Sequence, residues 1–92
     1  MSVTVSIPTV LRRHTDGEKR VEATGETVGA VLADLESRYA SLQGRIVADG
    51  KLHRFVNVYV DDNDVRTEQG LDTAVRDGAA VTILSAMAGG GI

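Results

Sequence analysis

Val28, Val31, Leu32, Leu35 and Tyr39 fall at i, i+3, i+4, i+7 and i+11. That spacing makes one apolar stripe on a helix of about three turns. Gly25 breaks the chain just before it, and the Thr27 hydroxyl is positioned to cap it by accepting a free backbone N–H. Glu26 brings negative charge to the positive end of the helix dipole, while Asp34, Glu36 and Arg38 take the solvent side. An amphipathic helix of this kind needs one apolar surface to cover, and the runs on either side of it have the period of strands.

Val3, Val5 and Ile7 alternate with Ser2, Thr4 and Ser6 until Pro8 ends the run. After the Asp16-Gly17 turn signal, Lys19 to Thr24 reads as a second strand with Val21 and Ala23 on one face. The two suggest a β-hairpin, with Val10-Leu11 in its extended arm. Gly44 and Asp49-Gly50 bracket a loop holding Ile46 and Val47. Phe55 to Val60 is the strongest strand, with Val56, Val58 and Val60 on one face and Phe55, Asn57 and Tyr59 on the other. A turn at Asp61-Asp62-Asn63 leads to a short strand around Asp64 to Arg66. Leu71 and Val75 then plug a gap between Gly70 and the Asp77-Gly78 turn, and Val81 and Ile83 belong to a last strand that runs to about Leu84.

Strand, strand, helix, strand, short strand, strand is an α+β order that fits the β-grasp fold, a mixed sheet of four to five strands with one main helix on one face, and the pattern alone also allows other α+β arrangements of one helix on a mixed sheet. Parallel pairing of the first and last strands would put the first at the sheet centre, its Val3, Val5 and Ile7 facing the helix stripe. Residues 1–86 are expected to form this one domain, and residues 87–92 a flexible glycine-rich tail.

At 92 residues the chain has room for one core and little spare volume, burying roughly 60–65% of its unfolded surface. An enclosed active-site cavity is not expected. Phe55, Tyr39 and Tyr59 are the only aromatics, so Val, Ile, Leu and Ala must build that core. Cysteine is absent, which removes disulfides, thiolate metal sites and a cysteine nucleophile. A net charge of −3 speaks against a nucleic-acid footprint or a polybasic membrane surface, and suits a basic partner surface better. Neither a signal peptide nor a membrane span is visible, and the expected location is cytoplasmic.

Few side chains suggest chemistry of their own. His14 and His53 lack ligand spacing and flank no nucleophile. Asp61, Asp62 and Asp64 lack the glycine and the distal Glu of a calcium loop, and a turn accounts for them. Arg12, Arg13, His14, Lys19 and Arg20 form a mild basic patch, read as a solvated face that a partner could also meet. No metal and no bound cofactor is expected. The C-terminus differs: Gly89-Gly90-Gly91-Ile92 follows the last strand after a short spacer. Glycine has the most backbone freedom and no side chain, so this run suits a thin arm that threads a narrow channel in another protein.

The chain resembles the ThiS/MoaD family of sulfur carriers, the prokaryotic relatives of ubiquitin, and within it the carriers of a cysteine-biosynthesis route. The resemblance covers nearly the whole chain: Val3-Thr4-Val5-Ser6-Ile7-Pro8-Thr9, Leu52-His53-Arg54-Phe55-Val56-Asn57, Asp64-Val65-Arg66, Asp77-Gly78, Val81-Thr82-Ile83-Leu84 and Ala88-Gly89-Gly90. It implies that the protein is not an enzyme but a co-substrate of enzymes. An E1-like adenylating enzyme would use ATP to activate the carboxylate of Gly90. Conversion to a thiocarboxylate would follow, and a biosynthetic enzyme making cysteine, thiamine, molybdopterin or another sulfur metabolite would take the sulfur. By the same resemblance Gly89 lines the partner's channel, and Gly91, if retained, would lengthen the arm. Gly91 and Ile92 extend beyond the family's active end, so a JAMM-type metalloprotease is expected to remove them. Ser85 stands where relatives often have proline. The expected docking residues are Phe55 and Tyr59 on the sheet face away from the helix, with Leu84 and Met87 near the tail; Phe55 and Tyr59 would otherwise cover a peripheral core. The same tail and activation would serve a ubiquitin-like modifier conjugated to lysine. A non-covalent β-grasp subunit with an inert tail is the third reading.

Overall fold

The computed structural model describes residues 2–54 and 56–85. Phe55, Met87, Gly89, Gly90, Gly91 and Ile92, and with them the tail expected over 87–92, lie outside the described residues. Five strands form one sheet in the order β2-β1-β7-β5-β6: β1 Ser2–Ser6, β2 Arg20–Thr24, β5 Val56–Val60, β6 Asn63–Asp64 and β7 Ala80–Ser85. β1 pairs antiparallel with β2 and parallel with β7, and β7 pairs antiparallel with β5. A single helix, α1 (Val28–Arg38), covers one face. This is the β-grasp arrangement. β1 is an interior strand as expected, but β7 holds the middle of the sheet, because β5 and β6 add two strands beyond it.

Local chemistry explains α1. The Thr27 hydroxyl accepts from the Ala30 N–H at 3.2 Å, and the Val28 N–H donates to Thr73 O at 2.9 Å. Two of the free donors of the first turn are thereby satisfied. Val28, Val31, Leu32 and Leu35 are each 0% exposed, and Tyr39, the residue that ends the helix, packs partly buried against the same core. Facing them are Val3 and Val5 from β1, Val58 from β5, and Val81 and Ile83 from β7. Burying one Leu or Val side chain stabilises by about 1.5–3 kcal/mol, so this stripe is the chief reason that α1 sits where it does. Leu42, Ile46, Val65 and Val75 close the ends of the core, with Leu71 partly buried against it.

Three connections differ from their sequence reading. Thr9–His14 is a 3-10 helix, so Val10-Leu11 is not extended. Pro8 has no N–H to offer the sheet, the Leu11 N–H returns to Pro8 O at 2.9 Å, and the turn carries Leu11 into the core at 8% exposure. The Ile46-Val47 loop contains a small hairpin, β3 (Val47–Ala48) with β4 (Lys51–Leu52). Asp49 and Gly50 both have positive φ, 55° and 75°, as the favoured two-residue hairpin turn requires. β6 stops at Asp64, and Val65–Thr67 curls into a 3-10 turn that buries Val65 completely.

Glu36 is not simply solvated. It is half-buried beside the β3–β4 hairpin, and its Oε2 is buried without a hydrogen-bond partner. Burial pushes its carboxyl above the ordinary range, against the opposing pull of the Val47 N–H. The folded chain therefore binds this proton more tightly than the unfolded one, and the charged form costs stability as pH rises through the raised value. Glu36→Gln is expected to gain roughly 0.5–1 kcal/mol at neutral pH, less than a fully buried orphan because the group is partly wet. The gain should vanish by about pH 3, where the carboxyl is protonated in both states. Thermal melts at both pH values check this, and a gain that persists in acid contradicts it.

Candidate functional site

The tail expected to carry the chemistry follows β7 in the chain, so the candidate site is sought at the end of that strand. Thr4 pairs with Ala80 and Ser6 with Thr82, so β1 and β7 end at the same edge of the molecule. Ser85, the last described residue, pairs with Val56 at the start of β5, and Arg20 at the start of β2 pairs with Ser6. The exit is therefore framed by the Thr9–His14 3-10 helix, by Arg20, and by the described residues on the approach to β5, His53, Arg54 and Val56.

Arg66 holds that segment. Its Nη2 donates to the carbonyl of Val56 at 2.7 Å and lies 3.4 Å from those of His53 and Arg54. Asp64 anchors the turn that carries Arg66, accepting the Arg66 N–H at 2.8 Å. A charged donor on several carbonyls is a stronger tie than a neutral one. It fixes the strand beside which β7 ends. Arg66 was visible in the sequence only as part of a resemblance; its carbonyl partners lie 10 to 13 residues away, and no periodicity signals them.

On the other side of the exit, Arg12 Nε donates to Ile7 O at 3.0 Å, and His14 Nδ1 is 3.0 Å from Ser41 Oγ. Arg45 joins this group by donating to Ser41 O at 2.8 Å. Burial first, then the positive charges of Arg45 and Arg13, hold the His14 imidazole below its ordinary pKa. The histidines do not converge on a ligand set: among the described residues no group of three or more His, Cys, Asp or Glu could hold a metal ion.

The outer face of the sheet, away from α1, is read from the register. Arg20, Ser6, Thr82, Tyr59 and Asp64 form one transverse row across β2, β1, β7, β5 and β6. Leu84 pairs with Asn57 in the next row on the same face, which makes it a diagonal neighbour of Tyr59. Leu84 is 46% exposed and Tyr59 is half-buried. The structure brings together these two of the four expected docking residues; Phe55 and Met87 lie outside the described residues.

The acidic turn is structural. Asp61 and Asp62 have positive φ, 48° and 77°, and Asp61 Oδ1 accepts the Ala80 N–H at 3.0 Å. This turn lies at the end opposite the exit, together with Asp77, which accepts the Ser2 N–H at 2.9 Å. No helix among the described residues is long and apolar enough to cross a membrane.

Comparison with known proteins gives a consistent picture. Residues 5–90 match the ThiS family. The sulfur carrier protein CysO of Mycobacterium tuberculosis is 58% identical over 93 residues, spanning 98% of this chain and 100% of the relative. A chain in the crystal structure of the Amycolatopsis orientalis BexX/CysO complex superposes with a TM-score of 0.88 at 58% identity, covering 91% of this chain and 94% of that one. Small archaeal modifier protein 3 of Haloferax volcanii is 42% identical over 64 residues, 70% of either chain.

Proposed function

The chain belongs to the ThiS family, and from that premise we propose that it is a sulfur carrier, with residues 1–86 as the recognised head and 87–92 as the arm. The observation that carries this reading is the family match itself, which runs to residue 90 and so takes in the diglycine Gly89-Gly90. Identity of 58% to a protein named as a sulfur carrier supports it.

The chemistry needs no side chain of this protein. A carboxylate is a poor electrophile. Transfer of AMP from ATP to the Gly90 carboxylate releases pyrophosphate and creates a good leaving group. A sulfide then attacks the carbonyl carbon; the C–S bond forms, the bond to the AMP oxygen breaks, and AMP leaves. The product is a thiocarboxylate, whose sulfur is a good nucleophile toward a biosynthetic substrate. ATP is the co-substrate of the E1-like enzyme and is not held by the carrier. A cytoplasmic location fits such an ATP-dependent step. Gly89 would thread the channel, and a JAMM-type metalloprotease would first remove Gly91 and Ile92. A biosynthetic enzyme receives the sulfur, and the solved complex of a 58% identical relative with BexX supports such a partner.

Intact mass is the test. A chain ending at Gly90, given ATP, a sulfide source and an adenylating enzyme active on a relative, is expected to gain about 16 Da, one oxygen exchanged for sulfur. No gain with a competent enzyme would overturn the reading. Likeness to a small archaeal modifier protein favours one second reading, conjugation of the same glycine to lysine. Ladders of host proteins bearing the tail would select it.

A further inference from the structure

The net charge of −3 conceals a polarised molecule. The stretch 9–20 and Arg45 gather at the exit end, where five cations, Arg12, Arg13, Lys19, Arg20 and Arg45, stand against two carboxylates, Asp16 and Glu18. Arg13, Lys19, Arg20 and Arg45 are exposed, and none of them forms an ion pair with a carboxylate among the described residues. At the opposite end Glu26, Asp61, Asp62 and Asp77 stand against one cation, Arg76.

We propose that this cationic collar is a docking surface for a protein whose channel mouth is rimmed with carboxylates, and that it orients the carrier before the arm enters. The proposal rests on the carrier reading above: an enzyme that takes the arm must approach through this end. A dipole of this sense speeds productive encounter and disfavours the reversed approach. It also disfavours a nucleic acid, because an extended polyanion held at one end would run along the acidic remainder of the molecule. The overall negative charge points to a basic partner; the distribution reverses that expectation at the end that matters.

Three proteins test it against BexX of Amycolatopsis orientalis as the probe: wild type, the collar reversal R13E/K19E, and the equal reversal E26K/D72K beside the start of α1, all checked for native circular dichroism. Between about 50 and 300 mM salt the wild-type affinity should fall, since such contacts are screened. R13E/K19E should bind roughly tenfold or more weakly at low salt, with a flattened salt dependence, and E26K/D72K should stay within about twofold of wild type. The neutral variant R13Q/K19Q should lie between, which keeps the test valid if the reversal misfolds. Unchanged affinity in a folded collar variant overturns the proposal, as does a wild type that fails to bind at low salt. Tight binding of a short single-stranded DNA that depends on Arg13 and Lys19 also overturns it. Sulfur loading, measured by mass on the same proteins, separates the two ideas. A wild type that loads beside a collar variant that binds normally sinks only the collar; a wild type that binds through the collar and never loads sinks only the carrier.

Discussion

A chain that keeps Gly91 and Ile92 beyond the diglycine is expected to stay at its unmodified mass while the chain ended at Gly90 takes up sulfur. The difference in loading rate should be at least about 100-fold, because an atom held far from its reactive position forfeits most of the gain from positioning. With two further residues the carbonyl presented for adenylation belongs to a β-branched residue, and the chain overshoots the site by two peptide units. A channel that accepts only a glycine backbone has no room for the isoleucine side chain. A time course of intact mass on both chains, with and without a zinc metalloprotease of the JAMM type, measures this. Protease should rescue the longer chain, and its product should end at Gly90. Loading of both chains at similar rates would remove the maturation step from the scheme and leave Gly90 without a special role.

The largest effect expected on stability comes from Gly25→Ala. A Cβ at Gly25 would sit 2.7 Å from Val31 N and 2.9 Å from both Ala30 C and Ala30 Cβ. Real Cβ atoms do not approach so closely, and two of these three atoms belong to the backbone of the α1 first turn, which cannot swing aside. Relief requires the connection from β2 to move, which disturbs the Thr27 cap and the contacts of Val28 and Val31. A loss of about 3 kcal/mol is expected, in the range for overpacking with backbone shift. For a domain of this size the melting temperature should fall by on the order of 15 °C. Gly17→Ala is the internal comparison: its φ of +81° is strained for alanine, yet nothing lies within 4 Å. It should cost only about 1 kcal/mol. Equal melting temperatures for the two variants would mean that the close approach at Gly25 is not rigid.

Most of the architecture was legible because it depends on neighbours in the chain. The helix stripe, the Thr27 cap, and the alternation of Val3-Val5 and of Val56-Val58-Val60 are local patterns, and each side chain lies on the side that its pattern requires. The irregular parts were less legible. The 3-10 helix at Thr9–His14 has no period of its own, and Leu11 is recognisable as a core residue only when the ends of β1 and β2 are in place. Two-residue strands such as β3 and β4 are too short to alternate.

The sequence alone determined the fold class, the stripe that seats α1 and the family resemblance, and it is the source of the proposal that the chemistry lies in the glycine-rich arm. The tertiary structure decided which residues surround that arm's exit. Parallel pairing of β1 with β7 brings chain segments 76 residues apart to one edge, and no short-range pattern encodes which charges meet there. It turned a weakly acidic chain into one with a cationic end, tied Arg66 to the carbonyls of the β5 approach, and half-buried Glu36 under a hairpin. Hydrophobic periodicity is a property of neighbours along the chain; electrostatic environment is a property of neighbours in space, and only the folded chain supplies those.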